Sequence, residues 1–170
     1  QTIANTEQYD GTSFSEVNDL NTGRKNGAGT GTTTAALASG GDTGPSGSGG
    51  HGVTNVESWN GTSWTATTAI NTARLGLAGV GPSTATLVFG GYDNPDYNTQ
   101  TEFWNGSSWT ELGDLNTKRS GLGGSGTSYT AALGFGGVGP SNLANTESFD
   151  GTSWTEVADL NTARGSEAGS

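Results

Sequence analysis

Apolar and polar positions alternate along this chain in short runs, and no window sustains the spacing of an amphipathic helix. Gly and β-branched residues dominate, which disfavours helix further. One phrase recurs four times: "EQYDGTSFSEVNDLNTGR" at 7–24, "ESWNGTSWTATTAINTAR" at 57–74, "EFWNGSSWTELGDLNTKR" at 102–119 and "ESFDGTSWTEVADLNTAR" at 147–164. In each copy an Asp-Gly or Asn-Gly pair (Asp10-Gly11, Asn60-Gly61, Asn105-Gly106, Asp150-Gly151) separates two short arms, a strong β-hairpin signal. With those two residues as the loop, Phe149 faces Thr152 and Glu147 faces Trp154. Phe149 and Trp154 are then diagonal neighbours on one face. The same register relates Tyr9 to Phe14, Trp59 to Trp64 and Trp104 to Trp109.

After each phrase comes a small-residue stretch: "GAGTGT" (27–32), "GLAGVG" (76–81) and "GLGGSG" (121–126). An apolar run ending in two glycines follows, closing on Gly40-Gly41, Gly90-Gly91 and Gly136-Gly137. Each unit of about 45 residues therefore predicts four short strands, a period and strand count that indicate a β-propeller blade. The small-residue strand suits the crowded innermost position, and the diglycine suits a tight turn. The chain reads as one repeat domain over 1–170. Residues 1–24 form a partial blade with an outer hairpin only, and 25–74, 75–119 and 120–164 form complete blades. Residues 165–170 begin a closing blade. The ring of about four blades is closed by joining the N-terminal hairpin to the C-terminal strand, or belongs to a larger ring. The expected strands fall one short of four complete blades.

A diglycine after an apolar strand, two spaced aromatics and an Arg-containing link resemble the kelch repeat family. The resemblance spans essentially the whole chain, with aromatics closer together than is usual in that family. It is nearest in character to the Thr/Asn-rich kelch-like propellers of phage and environmental bacterial sequences. It implies a propeller of four-stranded blades and leaves function to be argued from sites. Copper oxidases with similar repeats use His, Tyr and a Cys-modified Tyr. Here His51 is the single His and there is no Cys, so that chemistry does not carry over.

Composition refines this picture. Only 29% of residues are hydrophobic and 31 are Gly, a mix that by itself points towards disorder. Five Trp and strict periodicity argue instead for a thin core shared among many strands. A net charge of −10 with six basic residues speaks against nucleic-acid binding, which needs clustered Lys and Arg. No apolar run is long enough for a membrane-spanning helix, so no membrane insertion is expected. The absence of Met suggests a processed chain or a piece of a longer one. The acidic, Thr/Ser/Gly/Asn-rich composition suits an extracellular or virion surface.

Candidate chemistry lies mostly in the loops 42–52, 92–99 and 138–144, which differ while the frame repeats. His51 reads as a solvated loop residue. Asp93, Asn94, Asp96 and Asn98 bring hard oxygen ligands together, with Asp93 and Asp96 as weak Ca²⁺ candidates. The same residues are ordinary turn formers, and no cofactor is otherwise expected. Tyr92, Tyr97 and Tyr129 fall outside the hairpin pattern and are candidate ligand contacts, glycans included. Asn60 and Asn105 match the N-glycosylation pattern, although Asp10 and Asp150 serve the same turns. The Asn-Thr pairs at 21–22, 71–72, 116–117 and 161–162 read as turn caps. Arg24, Arg74, Arg119 and Arg164 are expected to pair with Glu7, Glu57, Glu102 and Glu147, or to donate to carbonyls between blades.

The sequence thus predicts a non-catalytic structural and binding module. A glycan-binding propeller lectin and a subunit of an extracellular filament assembled by strand sharing are the alternatives. The expected partners are other copies of the chain or neighbouring subunits, and surface glycans.

Overall fold

A computed structural model of the chain describes residues 2–45 and 50–165. The fold is all-β, and no helix occurs among the described residues. Strands β1 (Thr6–Tyr9) and β2 (Phe14–Val17) form a two-stranded antiparallel sheet. Then β3 (Ala28–Thr32), β4 (Ala35–Ser39), β5 (Val56–Trp59) and β6 (Trp64–Thr67) build a four-stranded antiparallel sheet in chain order. A second sheet uses β7 (Ala78–Val80) and β8 (Thr86–Phe89) and is completed further along the chain. Before that comes a small ladder of β9 (Tyr92–Asp93) and β10 (Asp96–Tyr97). Strands β11 (Thr101–Trp104) and β12 (Trp109–Glu111) then finish the second sheet in the order β7-β8-β11-β12. The third sheet is β13 (Gly123–Ser128), β14 (Ala131–Phe135), β15 (Thr146–Phe149) and β16 (Trp154–Val157). The three four-stranded sheets fall within the expected units 25–74, 75–119 and 120–164. Of the strand expected at 165–170, residues 166–170 lie outside the described residues.

The small-residue strands β3, β7 and β13 pack side by side in sequence order. Glycine is required there by close approach: a Cβ on Gly79 would stand 2.8 Å from Thr30 Cγ2 and 3.1 Å from Ala28 Cβ. The diglycines do more than turn the chain. Gly41, Gly91 and Gly137 donate their N–H groups to the carbonyls of Arg74, Arg119 and Arg164 at 2.8–2.9 Å. Gly40, at φ 61°, would bring a Cβ within 2.7 Å of the Arg74 carbonyl.

The hairpin register differs from the sequence expectation. Phe149 pairs directly with Trp154, and Glu147 with Glu156, around a four-residue loop. The cause is the first loop side chain: Asp150 Oδ1 accepts the N–H groups of Thr152 and Ser153 at 2.8 and 2.9 Å. That Asx turn, with Gly151 at φ 99°, needs two more residues than the tight loop. Asp10, Asn60 and Asn105 do the same. The aromatics therefore meet as direct cross-strand pairs, with ring centroids 4.9–5.3 Å apart in all four hairpins.

The core lies between sheets in two clusters. One holds Leu37, Val56, Val88, Trp104 and Trp109, and the other Leu87, Phe89, Phe149 and Trp154. Phe89 packs on Trp154 of the next sheet at 4.7 Å. Among the described residues no helix is long and apolar enough to cross a membrane.

Candidate functional site

The repeated polar residues converge at the joints. Three of the four links after an outer strand cross to the following sheet and bind a glutamate on its third strand. Glu57 Oε2 accepts from Asn21 N (2.7 Å) and Asn21 Nδ2 (2.9 Å), while Oε1 accepts from Thr22 N (3.2 Å) and Arg24 (2.6 Å). Glu102 accepts from Asn71 N, Thr72 N and Arg74, and Glu147 from Asn116 N, Asn116 Nδ2, Thr117 N and Arg119. The ion pairs are therefore shifted by one repeat from the copy-by-copy order: Arg24–Glu57, Arg74–Glu102 and Arg119–Glu147. The shift of partner has a simple cause. The Arg closes the repeated phrase but opens the next sheet. Carbonyl contacts expected of these arginines are also present, such as Arg74 Nη1 to Gln100 O at 2.6 Å.

Arg74, Arg119 and Glu147 are fully buried. Burial by itself would raise the Glu57 carboxyl, but the donors from Asn21, Arg24 and Thr22 outweigh it and hold the group below its ordinary value. Burial pushes the Arg74 and Arg119 guanidiniums down, and Glu102 and Glu147 oppose that shift. The fourth arginine, Arg164, is exposed, and among the described residues its Nε reaches only the Thr162 carbonyl at 3.4 Å.

The divergent loops leave from equivalent points. Bridges Lys25–Asp42, Leu75–Tyr92 and Ser120–Val138 fix their first residues. Leu75 and Ser120 also line a depression of about 290 Å³, together with Asn26, Gly76 and Gly121. Its floor is held by Gly76 N–H to Asn26 O and Gly121 N–H to Gly76 O, both 2.7 Å. Two of these loops therefore start beside its lining, Tyr92 paired with Leu75 and Val138 with Ser120. Residues 46–49 of the loop 42–52 lie outside the described residues.

In the loop 92–99, Tyr92 and Tyr97 are cross-strand partners with rings 5.4 Å apart at 58°. Asp93 and Asp96 oppose each other beside them and are exposed, as is Lys118, 3.9 Å from Asp96. Among the described residues no group of three or more His, Cys, Asp or Glu side chains is placed to hold a metal ion. Tyr129 is separate from this ladder: it packs half-buried on Phe103 at 4.0 Å. His51 is exposed. Asp42 is buried, held below its ordinary value first by the Gly44 N–H, against desolvation, and further by Lys25 at 3.1 Å. Asn60 and Asn105 use Oδ1 in their turns, the role Asp10 and Asp150 share.

Sequence reasoning missed both the carboxylate clasp and the depression. The signal for the clasp was present in the fixed Asn-Thr-x-Arg spacing. No family model matches the chain, and no curated protein matches it.

Proposed function

We propose that this chain is a non-catalytic, kelch-like β-propeller module, serving as a structural and binding unit at an extracellular or virion surface. The three four-stranded sheets are its blades, and the β1–β2 hairpin is the outer half of another. The observation that carries this reading is the use made of the repeated polar groups. Three of the four repeated arginines and their glutamates are spent inside the joints, so the frame presents little chemistry and the loops differ freely upon it. The acidic, Thr/Ser/Gly/Asn-rich composition supports the surface location. A panel of hydrolase and oxidase substrates should give no turnover. Robust turnover abolished by one substitution overturns the reading.

A second reading, a glycan-binding propeller, is favoured by one feature. The Tyr92–Tyr97 pair with exposed Asp93 and Asp96 offers aromatic faces beside hydroxyl-accepting carboxylates. Repeated blades would add avidity. Glycan-array binding lost in Tyr97→Ala, with far-UV dichroism unchanged, promotes it over the first. Binding that survives the substitution removes this ladder as the sugar site.

A further inference from the structure

Three of the four Asn-Thr-x-Arg links hold a glutamate, and one link and one glutamate are left over. The leftover link, Asn161–Arg164, already has the shape of the filled ones. Arg164 N donates to Leu143 O at 3.0 Å, as Arg119 N does to Asn98 O at 3.2 Å. Leu160 N donates to Ala144 O at 2.9 Å, as Leu115 N does to Thr99 O at 3.0 Å. The Arg164 carbonyl receives Gly137 N–H at 2.8 Å, as the Arg119 carbonyl receives Gly91 N–H. Only the carboxylate is missing, and Arg164 is exposed where Arg74 and Arg119 are 0% exposed.

The leftover glutamate is Glu7. It lies on β1 where Glu57, Glu102 and Glu147 lie on β5, β11 and β15, but it is exposed and makes no ion pair among the described residues. Around it β1 pairs on one edge only, whereas β5, β11 and β15 pair on both. Tyr9 and Phe14 are 48% and 68% exposed, while Phe149 and Trp154 at the same repeat positions are 2% and 5%. The two halves do not meet within the molecule.

We infer that they meet between molecules: the Asn161–Arg164 link of one copy clasps Glu7 of a second copy, head to tail. The inference rests on the propeller reading for the meaning of the repeat, and it names the partner as another copy of this chain. Donor and acceptor match in charge and in hydrogen-bond count, since Asn161 N–H, the Asn161 side-chain amide, Thr162 N–H and Arg164 can supply the four bonds that Glu57 receives in the first joint. The apolar surfaces continue the same pattern. Phe135 stands where Phe89 stands in the preceding sheet, immediately before the diglycine, and the joint brings it onto Phe14 as Phe89 meets Trp154. A heterologous contact of this kind propagates unless it closes.

The test uses Glu7→Arg and Arg164→Glu, each of which destroys one half and leaves the other intact. By light scattering and sedimentation, the parent chain should gain mass with concentration beyond 17.0 kDa. Each variant alone should stay at the monomer mass, its self-association weakened by at least about 30-fold, as for truncating a hydrogen-bonded charge pair. Mixed together, they should associate again, through the Arg164 of one and the Glu7 of the other. A parent monodisperse at 17.0 kDa, variants that assemble like the parent, or a mixture that stays monomeric each overturns the inference. Glu7→Gln and Arg164→Gln, with dichroism matching the parent, replace any variant that fails to fold. Enzymatic turnover would overturn the proposed function without touching this result, and a monomeric mixture would do the reverse.

Discussion

Arg119 and Glu147 illustrate how a residue's role here depends on which sheet it meets. The pair is fully buried at 2.7 Å, and among the described residues the Nε atoms of Arg24, Arg74 and Arg119 have no partner. Such a pair is costly to desolvate, so its worth shows when one member is removed. Arg119→Met should cost about 3–5 kcal/mol by leaving Glu147 buried with neutral donors only. Arg164→Met, in the same motif but exposed, should stay within about 0.5 kcal/mol at concentrations where the chain is monomeric. Urea denaturation followed by Trp fluorescence measures both, and equal losses at the two sites would contradict the burial contrast. The sequence made these residues conspicuous through their spacing. It did not reveal the partner, because pairing across repeats depends on where the chain crosses between sheets, and a repeated phrase has no mark for that. Tyr129 was illegible for a related reason: outside the repeat, its contact with Phe103 of another sheet has no sequence signature.

At the scale of elements, the hairpins were readable and their register was not. Asp-Gly and Asn-Gly mark a turn in either case, but the side-chain oxygen accepting two N–H groups selects the longer loop. That choice turns diagonal aromatics into direct pairs and makes each hairpin an aromatic wedge. The wedges are not equivalent. Trp154 lies against Phe89 and donates Nε1–H to Thr101 Oγ1 at 2.9 Å, bridging two sheets. Trp64 is half-buried beside an open groove of about 260 Å³ next to the β1–β2 hairpin. Trp154→Ala should therefore cost about 3–5 kcal/mol, and Trp64→Ala distinctly less. Equilibrium unfolding of the two variants decides this. A Trp154 loss within about 1 kcal/mol, typical of exposed positions, would show that the ring faces solvent and is open to a ligand.

For the whole molecule, the all-β class followed from composition and period, while the way the sheets are fastened sets how stability responds to pH. At pH 7 the chain carries a net charge of −10, and like-charge repulsion opposes compaction. Acidification relieves that repulsion until the sequence pI near 4.2. It then reaches the carboxylates that close the joints. Glu57 and Asp42 are held below their ordinary values in the folded state, so the unfolded chain takes up protons first. Their contribution is thus present above those ordinary values and lost as pH falls through the lowered ones. The melting temperature should pass through a maximum at about pH 5–6 and fall steeply below the ordinary glutamate value of 4.5. Salt separates the two causes. At about 0.5 M, where the Debye length is roughly 4 Å, the rise from neutral pH to the maximum should flatten, because it comes from exposed charges. The acid decline should persist, because Glu57 is 2% exposed and its donors are fixed by the backbone of the link. A melting temperature that keeps rising from about pH 5 to about pH 3, below every ordinary carboxylate value, would show that the clasps contribute nothing to stability.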